Sequence, residues 1–250
     1  IEVTYYLIHG MGDRGDFAHR DAQSARNFAA AAAKAGVKRI IYLGGLGNEN
    51  QQLSEHLKSR NEVGQILGET GIPVTELRAS IIIGSGGASF EIIRDLVKKL
   101  PLMITPRWVN SRCQPIGIGD VLKYLIGLLE APRTPGRVFD IGGEEILTYS
   151  QMMREVAEVM GKRLYLINVP VLTPRLSAYW LNLVTTVPMS VAYPLIDGLR
   201  NDTICADNRI RDLINFQMTP FREAVQQALD EEGQLKVESR WTEASMPENV

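Results

Sequence analysis

Apolar, β-branched and aromatic runs alternate along the chain with longer amphipathic stretches, the pattern of βαβ units laid on a parallel sheet. Val3 to Ile8 (VTYYLI) reads as a first strand that stops at His9-Gly10-Met11-Gly12-Asp13. The spacing predicts a helix over Phe17 to Ala35, where Ala29 to Ala33 combine high helix propensity with small side chains for close packing, and Gly36 ends it. Lys38 to Leu43 is a second strand running into Gly44-Gly45-Leu46-Gly47-Asn48. Leu57, Val63, Ile66 and Leu67 form the apolar stripe of a helix from Leu53 to Glu69, stopped at Gly71. A strand over Val74 to Ile83, a helix over Ser89 to Leu100 and a short strand over Leu102 to Thr105 complete the order β-α-β-α-β-α-β.

After Pro106 the rhythm changes. Gln114 to Ile118 reads as extended, Asp120 to Glu130 as an amphipathic helix, and Arg137 to Ile141 as a strand closing on Gly142-Gly143. Thr148 and Gln151 make a capping box for a helix over Tyr149 to Met160, and Arg163 to Val169 is again strand-like. Pro174 to Val184 and Ser190 to Leu199 are apolar, helical in pattern and outside the βαβ order. The expected organisation is a sheet domain over residues 1–169, a small mostly helical lobe over 170–230, and the start of a further domain or a tail over 231–250. A chain that opens on Ile1 with a strand under way, and closes on a polar run, is expected to be cut at both ends.

Composition narrows the function classes. With 250 residues, 45% hydrophobic and 22% charged, the chain has the makeup of a globular protein with a sizeable core. Lys plus Arg number 27 against 29 Asp plus Glu, so there is no basic field to hold a phosphate backbone, and nucleic acid is not expected as a partner. Cys113 and Cys205 form no Cys-x-x-Cys pair, and His9, His19 and His56 are scattered, so neither a disulfide framework nor a metal site is expected. There is no signal peptide and no uninterrupted apolar run of about twenty residues, which predicts a cytoplasmic chain without a membrane span. The apolar positions Trp180, Leu181, Leu183, Val184, Val187 and Met189 are interrupted by Pro188 and fit a lid over a cleft better than a membrane-surface or partner patch.

Two glycine clusters are candidate ligand loops. Gly84-Ser85-Gly86-Gly87-Ala88-Ser89 follows a strand and opens a helix, the context of a dinucleotide fingerprint. Ser89 stands at its third small position, and no acidic residue ends the next strand, although Arg107 would suit a 2′-phosphate. The plain alternative is a tight strand-to-helix turn. The second cluster, Gly44-Gly45-Leu46, ends a strand ahead of a helix carrying Ser54, His56, Lys58 and Arg60. His56 and Arg60 are four apart and share a helix face, an arrangement suited to protonating or orienting a carbonyl; the plain alternative is a solvated helix face.

The stretches RIIYLGGLGNE (Arg39 to Glu49), LSEHLKSRNEVGQIL (Leu53 to Leu67), VTELRASIIIG (Val74 to Gly84) and RCQPIGIGDVLKYL (Arg112 to Leu125) resemble the atypical short-chain dehydrogenase/reductase superfamily. Within it the chain is similar to the NmrA-like NAD(P)H-binding proteins near the complex I accessory subunit, over about residues 1 to 165. The segment Leu172 to Asp202 is similar to bacterial members that carry a further C-terminal domain. The resemblance implies an α/β fold with a Rossmann-like parallel sheet flanked by helices. It also implies that Val3 to Ile8 corresponds to the family's fourth strand, with the earlier strands and pyrophosphate loop upstream of Ile1.

In the family's frame, His9, Gly10 and Met11 pass the cofactor ribose, Asn27 occupies a helix position often held by Asn, and Gly44 and Gly45 stand where active members carry a Ser. His56 falls at the family's Tyr and Arg60 at its Lys. Ala79, Ser80, Ile81 and Ile82 border the nicotinamide, while Leu46, Gln114 and Pro115 line the substrate cleft. The cofactor implied is NAD or NADP, held weakly by these residues alone because a pyrophosphate needs backbone N–H groups at a helix N-terminus. In active members Tyr supplies a proton and Ser holds the carbonyl oxygen; here all three catalytic positions differ, and Arg does not yield its proton at neutral pH. Three functions follow: an oxidoreductase on a small-molecule substrate with His56 as acid; a non-catalytic redox sensor or assembly factor that binds NAD(P)(H) and a protein partner; and a nucleotide-sugar epimerase-like enzyme.

Overall fold

The computed structural model describes residues 1–10, 17–47, 54–105, 107–168, 186–188, 191, 192, 195, 198 and 201–233. Met11 and the expected helix Pro174 to Val184 lie outside them, as does the side chain of Arg107. Four parallel strands, β1 (Val3–Tyr6), β2 (Arg39–Gly45), β3 (Val74–Ala79) and β8 (Val138–Ile141), make one sheet in the order β1-β2-β3-β8. Ile40, Ile41 and Tyr42 are all fully buried, because a parallel sheet covered on both faces needs a continuous apolar run instead of an alternating one.

Helices α1 (Phe17–Lys34) and α2 (Glu55–Gly68) cover one face. Ala22, Ala25, Ala29 and Ala32 bring α1 close against Tyr6, Ile40 and Tyr42, joined by Val63, Ile66 and Leu67 of α2. Ser54 caps α2 by accepting the Leu57 N–H, and Gly36 and Gly71, with φ of 72° and 80°, end the two helices in the left-handed region that favours glycine. On the other face α4 (Ile118–Glu130) lays Val121, Tyr124, Leu125 and Leu128 against Ile41, Leu77 and Phe139.

The run Val74 to Ile83 is not one strand. β3 ends at Ala79, whose carbonyl accepts the Leu46 N–H; two residues on, the Ile81 carbonyl accepts from Ile116, and β4 (Ile82–Ile83) pairs with β7 (Ile116–Gly117) instead. The chain changes partner at Ser80, and periodicity carries no information on which strand a residue will pair with. The expected extended piece at Gln114 to Ile118 likewise resolves into β6 (Arg112–Cys113), antiparallel to β9 (Leu147–Thr148), and β7. β5 (Leu102–Thr105) pairs with β10 (Tyr165–Asn168) away from the main sheet.

A second core cluster joins α3 (Ala88–Lys99), α5 (Tyr149–Val159) and α7 (Phe221–Gly233). The Thr148–Gln151 capping box is formed in both directions at the start of α5. Ahead of the short helix α6 (Arg209–Leu213), residues 201–206 are fastened to the body. The Thr203 N–H donates to the Arg112 carbonyl, Gln114 N–H to the Thr203 carbonyl, and Ala206 N–H to the Asp140 carboxylate, while the Arg112 guanidinium grips Asp202 at 2.8 Å. Residues 191, 192, 195 and 198 are helical. Among the described residues, no helix is long and apolar enough to cross a membrane, and no three His, Cys, Asp or Glu side chains gather as a metal site.

Candidate functional site

Because β1, β2 and β3 are parallel and in register, with Val3 opposite Arg39 and Ile40 opposite Val74, their carboxyl ends lie side by side. That edge of an open α/β sheet is where ligands bind. His9 follows β1, Gly44 and Gly45 close β2, and Ser80 follows β3, while α2 returns over them with His56, Leu57 and Arg60. Together they bound a cavity of about 240 Å³ that also takes in Leu46, Ile81, Ile82, Ser89, Tyr149 and Thr203.

The two histidines face each other across this space, ring centroids 6.2 Å apart. Burial, with the positive charge of Arg60 beside it, holds His56 down to about 4; the same causes and the proximity of His56 hold His9 down to about 3. Both rings are therefore neutral near pH 7. Arg60 is 8% exposed, donates to the Leu43 carbonyl, and lies over the Tyr42 ring with its guanidinium carbon 5.2 Å from the centroid. Tyr42 in turn donates to the Arg60 carbonyl at 3.0 Å, so ring and guanidinium brace each other.

Across the cavity stands a wall of hydroxyls. Ser80 Oγ and Thr203 Oγ1 are 2.6 Å apart, and the Tyr149 phenol lies within hydrogen-bonding reach of Thr203 and Cys113. Burial raises the Tyr149 phenol well above its ordinary value and pushes the Cys113 thiol up to about 12, so both keep their protons.

Of the residues singled out in the sequence, the structure brings His9, Gly44, Gly45, Leu46, His56, Arg60, Ala79, Ser80, Ile81 and Ile82 to this one cavity, together with Ser89 from the end of the Gly84 loop. Others are placed elsewhere. Gly10 gives its N–H to Asp21 Oδ1 at 2.7 Å beside α1, and Asn27 is exposed, its Oδ1 accepting from Gln23. Gln114 is turned to structural work, donating to the Gly143 carbonyl at 2.6 Å and accepting the Cys205 N–H at 3.1 Å. In the Gly84 to Ser89 loop, Gly84 is pressed against Ile118, where a Cβ would come within 2.9 Å, and the Gly87 N–H is used on the Gly84 carbonyl. The sequence carries no signal for Tyr149 or Thr203: Tyr149 reads only as the residue after a helix cap, and Thr203 lies 123 residues from the Ser80 it meets.

No family profile matches the chain, and no curated protein is similar to it. Solved structures are similar in fold. A nucleoside-diphosphate-sugar epimerase from Staphylococcus aureus is 16% identical with a TM-score of 0.70, covering 90% of this chain and 76% of that one. UDP-glucuronic acid 4-epimerase from Bacillus cereus, in complex with NAD, is 14% identical at 0.68, covering 94% and 75%. Triphenylmethane reductase from Citrobacter, complexed with NADP(H), is 17% identical at 0.69, covering 91% and 77%. At such identities it is the backbone architecture that is shared: this chain carries the Rossmann-like α/β fold of these epimerases and this reductase, a parallel sheet flanked by helices.

Proposed function

We propose that the chain is an NAD(P)-binding oxidoreductase of the short-chain dehydrogenase type, acting on a small molecule in the cavity, with His56 and Arg60 in the places of the family's Tyr and Lys. One observation carries this reading. The side chains that the family's frame assigns to chemistry converge on one cavity at the carboxyl ends of three neighbouring parallel strands. Support for the cofactor comes from the structural neighbours that hold NAD or NADP(H).

The cavity residues suit the nicotinamide riboside end of such a cofactor. Gly44 and Gly45 present bare backbone, and Ala79, Ile81 and Ile82 supply an apolar wall. The Gly84 to Ser89 loop is a poorer fit to the pyrophosphate, since its Gly87 N–H is taken by the Gly84 carbonyl and Gly84 itself is packed against the Ile118 side chain. When bound, NAD(P)H supplies hydride for a carbonyl carbon.

The residues of this chain hold the oxygen. With its imidazole held at about 4, His56 acts near pH 7 as a neutral hydrogen-bond donor that polarises the carbonyl, the role that a neutral histidine can fill at a developing oxyanion. Arg60 adds a fixed positive charge on the same side, and the apolar wall keeps water from competing.

The test is an NMR titration with dihydronicotinamide riboside, which is uncharged and needs no phosphate loop, run beside NADH and NADPH. Resonance shifts confined to Gly44, Gly45, His56 and Ala79 at about millimolar ligand are expected. Shifts elsewhere, or none with any of the three, would overturn the reading. On a carbonyl that the protein reduces, His56→Leu is expected to lower kcat about a hundredfold with riboside binding unchanged.

A further inference from the structure

The cavity holds one fixed positive charge and, among the described residues, no carboxylate in its wall. Arg60 is buried, yet among those residues it forms no ion pair, and its hydrogen bond to the Leu43 carbonyl engages one of the five N–H donors of a guanidinium. The carboxylates nearby are engaged elsewhere. Asp21, which feels the Arg60 charge, accepts from the Gly10 N–H and the Ser59 hydroxyl, and Glu76 binds Arg78 at 3.0 Å. His9 and His56 make no hydrogen bond among the described residues, and each neutral ring still carries one N–H donor.

A buried guanidinium is costly, and where it has no ion pair among the described residues a planar carboxylate that takes two parallel N–H bonds is the partner that best offsets the cost. We infer that the substrate of this site is a small organic anion, a carboxylate, whose charge is held by Arg60 and flanked by the N–H of His9, with the His56 N–H left to the reacting oxygen. The word substrate rests on the oxidoreductase reading; the anion site itself rests on the charge and donors of the wall. The hydroxyls of Ser80 and Thr203 on the far side add neutral partners, so an acid that also bears a hydroxyl or oxo oxygen engages both walls. At about 240 Å³ the space admits an acid of a few carbons, below the usual range for drug-sized ligands.

The deciding pair of probes is lactate and lactamide, equal in shape and different in charge, followed by NMR on the wild-type chain at pH 7 with dihydronicotinamide riboside as a parallel probe. Lactate is expected to shift the His9, His56 and Arg60 side-chain resonances at about millimolar concentration, at least about tenfold more tightly than lactamide. Arg60→Gln is expected to abolish the difference between the two. Equal affinity for lactamide, lactate shifts confined to other residues, or no lactate binding at all would each overturn the anion site. Riboside binding without lactate binding sinks this inference alone, whereas lactate binding without riboside binding sinks the oxidoreductase reading and keeps the anion site.

Discussion

The carboxylate of Glu76 fills the space that a side chain at Gly44 would need: a Cβ there would lie 2.7 Å from Glu76 Oε1 and 3.2 Å from the Tyr42 ring. One residue on, a Cβ at Gly45 would lie 2.9 Å from Leu57 Cδ2. The two glycines at the end of β2 are therefore set by the packing of β3 and α2 against them. A serine at this place has no room until Glu76 or Leu57 moves.

Gly44→Ser is accordingly expected to destabilise the fold by about 1–3 kcal/mol, the usual cost of overpacking a filled interior, read as a lower urea midpoint. Gly44→Ser combined with Glu76→Ala should recover part of that loss, since the two changes share one volume and are not additive. Unchanged stability of the single variant would mean that Glu76 has another rotamer at no cost.

The pH dependence of stability has a sign fixed by the histidines. His9 and His56 stand at about 3 and about 4 in the folded chain, against an ordinary value near 6.5, so below about pH 6.5 the unfolded chain takes up protons that the folded one refuses. Stability is full above that pH and falls as the pH drops toward 4. Asp21, raised by burial, acts in the opposite direction at lower pH. His56→Leu is expected to flatten the acid limb, so that its stability relative to wild type improves by about 1 kcal/mol between pH 7 and pH 5, allowing for the partial access of solvent to the ring. Parallel urea-unfolding curves of the two proteins at both pH values test this; identical pH slopes would show that His56 protonates freely in the folded state.

Much of the local structure was legible because its causes are local. The alanines that seat α1, the glycines that end α1 and α2, and the Thr148–Gln151 box all act within a turn or two of where they stand in the chain. Strand partners were not legible. Val74 to Ile83 is one apolar run, yet at Ser80 it leaves the main sheet for β7, and that choice depends on a backbone bond from Ile116. The cavity was legible on the side built from β1, β2, α2 and β3, which follow one another in sequence. The hydroxyl wall was hidden, because Thr203 and Tyr149 reach Ser80 only through the folding of the remaining chain. Asn27 fails to reach the cavity for a helical reason: Asp21, Ala22, Ala25, Ala29 and Ala32 take the buried face of α1 and leave position 27 outside.

Asp120 anchors the approach to α7. Fully buried, it accepts from the Thr219 N–H at 2.7 Å and the Thr219 hydroxyl at 3.1 Å, and pairs with Lys123 at 2.7 Å. Asp120→Ala is expected to cost about 3 kcal/mol, since it strands a backbone N–H and removes charge-assisted bonds. Asp120→Asn, which retains one acceptor, should cost less. Thermal unfolding of both variants decides, and equal losses would mean that the charge, not the bond to Thr219, is what matters.

Gln114 and Thr203 can be separated by their effects on the segment that closes the cavity. Gln114 bridges the Gly143 carbonyl and the Cys205 N–H, and its backbone N–H holds the Thr203 carbonyl. Gln114→Ala strands the Cys205 N–H, at about 1–3 kcal/mol if water does not replace the bond, leaves the Gly143 carbonyl to the Arg211 guanidinium at 2.9 Å, and should let residues 201–205 open locally. Thr203→Val keeps every backbone bond and the shape of the side chain and removes only the hydroxyl that meets Ser80. Hydrogen exchange at the Thr203 and Cys205 amides is therefore expected to speed up at least about tenfold in Gln114→Ala and to stay near wild type in Thr203→Val. Binding of a hydroxy acid should respond in both variants, through a loosened wall in one and a missing hydroxyl in the other. Faster exchange in Thr203→Val would show instead that the Ser80 contact, and not the Gln114 bridge, fastens this segment to the body.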